Sequence, residues 1–174
     1  MNDKTKRMVL AGLFLAMGLL LPLLTGQVPA LGNRLLPMHI PVLLGGFFCG
    51  GPYGLLLGLL TPLLRSLLFG MPLLFPIAVT MAFELAAYGF FAGELYRRLP
   101  KKNSSFLIAL LGAMIIGRIV WGIAAYLFYG LAGIPFSLEV FIAGSLLNAI
   151  PGIVIQLVLI PAVLIAAKKA GQID

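Results

Sequence analysis

Residues 34–52 read Arg34-Leu-Leu-Pro37-Met-His39-Ile-Pro41-Val-Leu-Leu-Gly45-Gly46-Phe-Phe-Cys49-Gly50-Gly51-Pro52. The stretch is apolar enough for a membrane. It is nonetheless interrupted by Pro37, Pro41 and two glycine pairs, and it carries the chain's only histidine. Proline removes a backbone donor and clashes with the preceding helical turn. In lipid an unsatisfied backbone group is expensive, so broken backbone at that depth is covered by protein or lines a cavity. The stretch is therefore either a poor membrane helix or the mouth of a binding site.

Composition sets the solvent. The chain has 174 residues, is 61% hydrophobic and 10% charged, and has a mean hydropathy of +1.13. A soluble domain carries about 25% charged residues. The expectation is an all-α integral membrane protein, one membrane domain over residues 1–174, with no room for a soluble catalytic domain. A single cysteine, Cys49, excludes an internal disulfide and a cysteine-based metal cluster. The net charge of +7 sits in short basic clusters between apolar runs, the pattern of membrane topology signals and not of nucleic-acid binding.

Those clusters order the chain. Lys4, Lys6 and Arg7 precede a first helix over about 8–24. A basic start before an apolar core also suits a signal peptide, but no A-x-A site follows and the apolar run is long for one. Residues 25–33 are a loop by their Gly, Pro and Asn content. Basic clusters mark the cytoplasmic side. With Lys4/Lys6/Arg7 and Arg97/Arg98/Lys101/Lys102 both inside, an even number of crossings separates them. The span from 35 to 70 must supply two, turning at Gly50-Gly51-Pro52. Helices are expected at about 38–49, 53–69, 74–99, 106–129 and 138–167, the last ending at Lys168-Lys169. Six transmembrane helices with both termini cytoplasmic satisfy every cluster.

Rise per residue then gives depth. Glu84, Arg118 and Asn148 fall near mid-membrane, Trp121 one turn above Arg118, and Ser145 on the Asn148 face. Gln156 falls deeper. Arg65 lies near the outer end of its helix, and His39 starts its helix on the outer side near Arg34. Intramembrane ionisable groups are costly and by default are functional candidates facing the bundle interior. Each also has a plain role. Glu84 and Arg118 can pair with each other, with a ligand, or both. Arg65 can snorkel to headgroups, His39 can hydrogen-bond at a helix end, Trp121 can belong to an interfacial belt, and Asn148 can join helices. One histidine makes no metal site. Small residues at four-residue spacing, among them Gly12/Ala16, Gly54/Gly58 and Gly89/Gly93, let helices pack closely.

Leu36-Pro-Met-His-Ile-Pro-Val-Leu-Leu-Gly-Gly, Thr61-Pro-Leu-Leu-Arg65-Ser and Phe83-Glu84-Leu-Ala-Ala-Tyr88-Gly resemble the substrate-binding S component of energy-coupling factor (ECF) vitamin transporters. The resemblance covers essentially the whole chain. It implies a six-helix subunit in a prokaryotic plasma membrane that binds a vitamin from outside, with no cofactor, no metal and no catalytic residue of its own. It implies a site made by the loop before the second helix together with helices 4, 5 and 6. Partners would be a transmembrane coupling subunit and two cytoplasmic ATPases, docked through small residues of helix 1. Here Ala11, Gly12 and Ala16 only approximate the Ala-x-x-x-Ala pattern. The nearest likeness is to pantothenate-type S components. Arg34, Arg65 and Arg118 in the outer half suit a carboxylate ligand, while pyridoxine, hydroxymethylpyrimidine, niacin and riboflavin stay open. Two other classes stand beside this reading. One is an intramembrane lipid-acting enzyme using Glu84 and His39, which the expected topology places at different depths. The other is a channel or structural subunit.

Overall fold

The computed structural model describes residues 3–25, 34–143 and 149–173. It is all-helical. In chain order come α1 (Asp3–Leu20), a 3-10 turn (Leu21–Thr25), α2 (His39–Cys49) and α3 (Gly51–Phe69). A wide turn (Leu74–Ala78) leads into α4 (Val79–Arg98), followed by α5 (Asn103–Leu131), α6 (Leu138–Ile142) and α7 (Ile150–Lys169). Five helical segments, Asp3–Leu24, Gly51–Phe69, Leu74–Arg98, Asn103–Leu131 and Ile150–Lys169, are long and apolar enough to cross a membrane.

α2 has 11 residues, too few for a lipid-facing span at about 20. Nine of them are buried, so protein and not lipid surrounds its backbone. Its prolines are placed where they cost little. Pro37 precedes the helix, and Pro41 lies in the first turn, where backbone N–H groups have no intrahelical partner. The turn into α2 is tight: Leu36 adopts φ +50°, and its carbonyl accepts from the His39 amide at 3.1 Å. A branched side chain disfavours that left-handed region. Leu36 is nonetheless buried, and the turn delivers His39 straight into the core.

Glycines hold α2, α3 and α4 together. A Cβ on Gly46 or Gly54 would overlap the Gly89 backbone, and one on Gly58 would overlap Leu85 and Ala86. These contacts also give direction. Residue numbers rise in α3 as they fall in α4, whereas α2 and α4 run together, with His39 on Tyr88 and Phe47 on Tyr96. α5 returns against α4, from Phe106 stacked on Tyr96 to Phe128 stacked on Phe83. The basic clusters meet at one end of the bundle. Arg7 lies beside Gly50, Lys101 sits 4.1 Å over the Tyr96 ring, and Lys168 donates to the Lys101 carbonyl at 2.9 Å.

One helix expected as continuous is divided, and another is described in two parts on either side of residues 144–148. The segment expected at 74–99 opens with Phe75 in extended geometry (φ −123°, ψ 132°), between Pro72 and Pro76. The Thr80 hydroxyl donates to the Pro76 carbonyl at 2.7 Å and closes the break. The segment expected at 138–167 contains α6, started by the Ser137 side chain accepting from the Val140 amide, and then α7, which starts anew after Ala149. Pro151 favours such a start, since proline suits the first helical positions. The expected loop 25–33 lies outside the described residues except for Thr25.

Candidate functional site

Glu84 stands five residues into α4 and is 2% exposed. Arg118 sits near the middle of α5. Gly117 makes their meeting possible, because any side chain there would overlap the Tyr88 ring and push α5 away from α4. The Arg118 guanidinium donates from Nη1 to Glu84 Oε1 at 2.7 Å. His39, from the start of α2, brings Nε2 to 3.7 Å from the same oxygen, an ion-pair distance but not a hydrogen bond. Tyr88 lies one turn beyond Glu84 on the same face of α4. Its ring meets the His39 ring edge-on at 5.4 Å and lies 6.0 Å from the Arg118 guanidinium.

Hydrogen bonding in this cluster is far from complete. Seven buried side-chain nitrogens and oxygens among the described residues make no hydrogen bond: in this cluster His39 (Nδ1, Nε2), Tyr88 (Oη) and Arg118 (Nε, Nη2), and on α7 Gln156 (Nε2, Oε1). Native proteins pair nearly all such groups, and each one left bare costs about 1–3 kcal/mol. A concentration of such groups inside an apolar bundle is a candidate site for a polar ligand. The ligand's chemistry follows from the inventory. Arg118 offers only donors. Tyr88 and neutral His39 offer a donor or an acceptor. Glu84 takes one Arg118 N–H and leaves Nε and Nη2 open. The Arg118 side chain is 14% exposed against 3% for Glu84, so Arg118 is the more accessible partner.

The remaining sequence candidates are distributed around this centre. Trp121 is on the Arg118 face of α5, one turn away, and is half-buried. It stacks on Phe141 of α6 at 5.7 Å and meets Phe136 edge-on at 5.8 Å. Arg65 is 3% exposed and does not snorkel. Its Nη1 donates to the Leu19 carbonyl at 2.6 Å, and its guanidinium lies over Phe69. Arg34 is exposed, with its backbone against Gly152 of α7. Ser145 and Asn148 lie outside the described residues. Gly12 and Ala16 face outward on α1, with nothing within 4 Å of where a Gly12 Cβ would stand.

One expectation is corrected. His39 and Glu84 were placed at different depths by counting residues along separate helices, yet they are neighbours. The turn at Leu36–Met38 and the short, buried α2 set His39 lower in the bundle than a full-length outer helix would. His39 also makes no capping hydrogen bond. Tyr88 was missed as a cluster member, and Gln156 was placed only as lying deeper. Tyr88 was readable from its i+4 spacing to Glu84. Gln156 is an isolated carboxamide in the apolar run of α7.

Helices of membrane-spanning length packed around a buried, incompletely hydrogen-bonded polar centre suit a membrane-embedded protein. Residues 6–164 match the family described as ECF transporter, substrate-specific component, and the chain belongs to it. No curated protein and no solved structure matches the chain significantly. Members of this family are subunits of membrane transporters and not enzymes, which sets aside the lipid-acting reading despite the closeness of His39 and Glu84.

Proposed function

We propose that the chain captures a carboxylate-bearing vitamin, with pantothenate favoured, from outside a prokaryotic plasma membrane and passes it inward with ATPase partners. The observation that carries this reading is the incomplete pairing of Arg118: one N–H holds Glu84, while Nε and Nη2 are bare. A carboxylate accepts from such a fork with two parallel bonds. Glu84 fixes the guanidinium for it, His39 and Tyr88 supply hydrogen bonds to the ligand's polar flank, and Trp121 packs on its apolar part. Ser145, Asn148 and Arg34 belong to the proposed site by their sequence positions. Arg65 in this reading anchors α1. In the same reading residues 1–174 form one domain with six crossings, α2 counted as one, and the end holding Lys101 and Lys168 is cytoplasmic. Partners would be a transmembrane coupling subunit and two ATPases, docked on the Gly12/Ala16 face. No G-x-x-x-x-G-K-[ST] motif occurs in the chain, in keeping with an ATP site elsewhere.

The test is equilibrium dialysis of the detergent-purified protein against a panel of B vitamins and hydroxymethylpyrimidine, with mass spectrometry of any co-purified small molecule. Pantothenate is expected to bind at micromolar concentration or tighter, and Arg118→Gln to lose it. Nicotinate as the sole ligand would keep the carboxylate and change the vitamin. Pyridoxine, hydroxymethylpyrimidine or riboflavin as the ligand would overturn the carboxylate reading. No binding to any member of the panel would end the proposal.

A further inference from the structure

Gln156 has no role in the fold that its chemistry explains. It is fully buried on α7, and neither its amide nitrogen nor its carbonyl oxygen has a partner. A buried carboxamide left bare on both atoms is worse for folding than a leucine of similar size. Its position is well defined. Gly152, one turn before it, packs on the Arg34 and Leu35 carbonyls at the approach to α2. Ile160 and Leu164, one and two turns after it, are fully buried in the core that includes Met38, Val42 and Tyr88. The face 152/156/160/164 therefore looks onto the core that includes Met38, Val42 and Tyr88. The only other bare polar groups buried among the described residues are those of His39, Tyr88 and Arg118.

We infer that Gln156 is a substrate-binding residue, the α7 wall of the polar centre, and that its carboxamide hydrogen-bonds an amide or hydroxyl group of the ligand. A carboxamide presents a donor and an acceptor side by side. The matching group is an amide carbonyl, an amide N–H or a hydroxyl, each met by one end of the carboxamide. The substrate class becomes a small acid that carries, besides its carboxylate, an amide or hydroxyl group. The inference rests on the proposed function, because it assumes that Arg118 holds the acid end.

Radiolabelled pantothenate, which has the acid together with an amide and hydroxyls, and nicotinate, which has the acid and a ring nitrogen but neither amide nor hydroxyl, serve as probes in equilibrium dialysis with the purified full-length protein. Gln156→Leu is expected to weaken pantothenate binding roughly 10- to 100-fold, the worth of one or two buried hydrogen bonds. Any nicotinate binding should change by less than about threefold, and the melting temperature of the ligand-free protein should hold or rise. Gln156→Asn keeps both polar ends on a shorter stem and should fall between wild type and Gln156→Leu, which settles the matter if the leucine variant does not fold. Unchanged pantothenate affinity in a folded Gln156 variant, alongside its loss in Arg118→Gln, overturns the inference and leaves the proposed function standing. Failure of wild type to bind either probe overturns both.

Discussion

At the scale of single residues the centre of the molecule is an economy of hydrogen bonds. Glu84 and Arg118 neutralise each other across α4 and α5, 2.7 Å apart and away from water. Removing one partner of such a pair strands the other's charge and costs about 3–5 kcal/mol. Glu84→Gln should therefore lower the melting temperature of the detergent-purified protein by several degrees. Glu84→Gln combined with Arg118→Met should recover part of that loss, because no bare charge is left. A double variant as unstable as the sum of the singles would show that the pair is not coupled. Arg65 makes a different prediction. Its guanidinium ties α3 to the Leu19 carbonyl, so Arg65→Met should destabilise by about 1.5–3 kcal/mol, the worth of a charged hydrogen bond. Ligand affinity should stay within about threefold. A Kd raised tenfold or more at unchanged stability would instead place Arg65 in the site.

At the scale of elements, close packing and outward display rest on the same kind of residue. Gly58 lies against the backbone of α4, so Gly58→Ala must push two helices apart, at about 1–3 kcal/mol for overpacking. Gly12 faces open space on α1, so Gly12→Leu should leave melting temperature and vitamin binding as they are. If α1 docks the coupling subunit, the same substitution should reduce co-purification with that subunit and uptake by whole cells. Full uptake in Gly12→Leu would move the docking face elsewhere. The small-residue spacing was legible in the sequence at both places. It did not separate internal contact from outward display, because that depends on which helix arrives opposite.

At the scale of the whole molecule the clusters Arg7, Lys101 and Lys168 share one end of the bundle. The proposed orientation puts that end in the cytoplasm, and this is directly measurable. Cys49 is the only cysteine and is buried, so background labelling is low. A cysteine at Lys102 should react with membrane-impermeant maleimide only after the cells are opened, and one at Gly133 in intact cells. The reverse pattern would invert the topology and with it the direction of capture.

Residues 34–52 show where sequence reading stops. The sequence by itself determined that the chain lives in lipid, that it is helical, and that Glu84, Arg118 and His39 are its costly groups, because composition and isolated charges are local facts. Its basic clusters also pointed to the turn at Gly50-Gly51-Pro52, where Gly50 now closes α2 with φ +94°. Tertiary structure decided the rest. It determined that α2 survives at 11 residues because its neighbours cover it, and that a left-handed turn at Leu36 sets His39 beside Glu84. It also determined that Tyr88, Gln156 and Arg118 are left with bare hydrogen-bonding groups. Depth and partnership depend on how helices from distant parts of the chain are offset against one another, and residue counting along one helix carries no information about that offset.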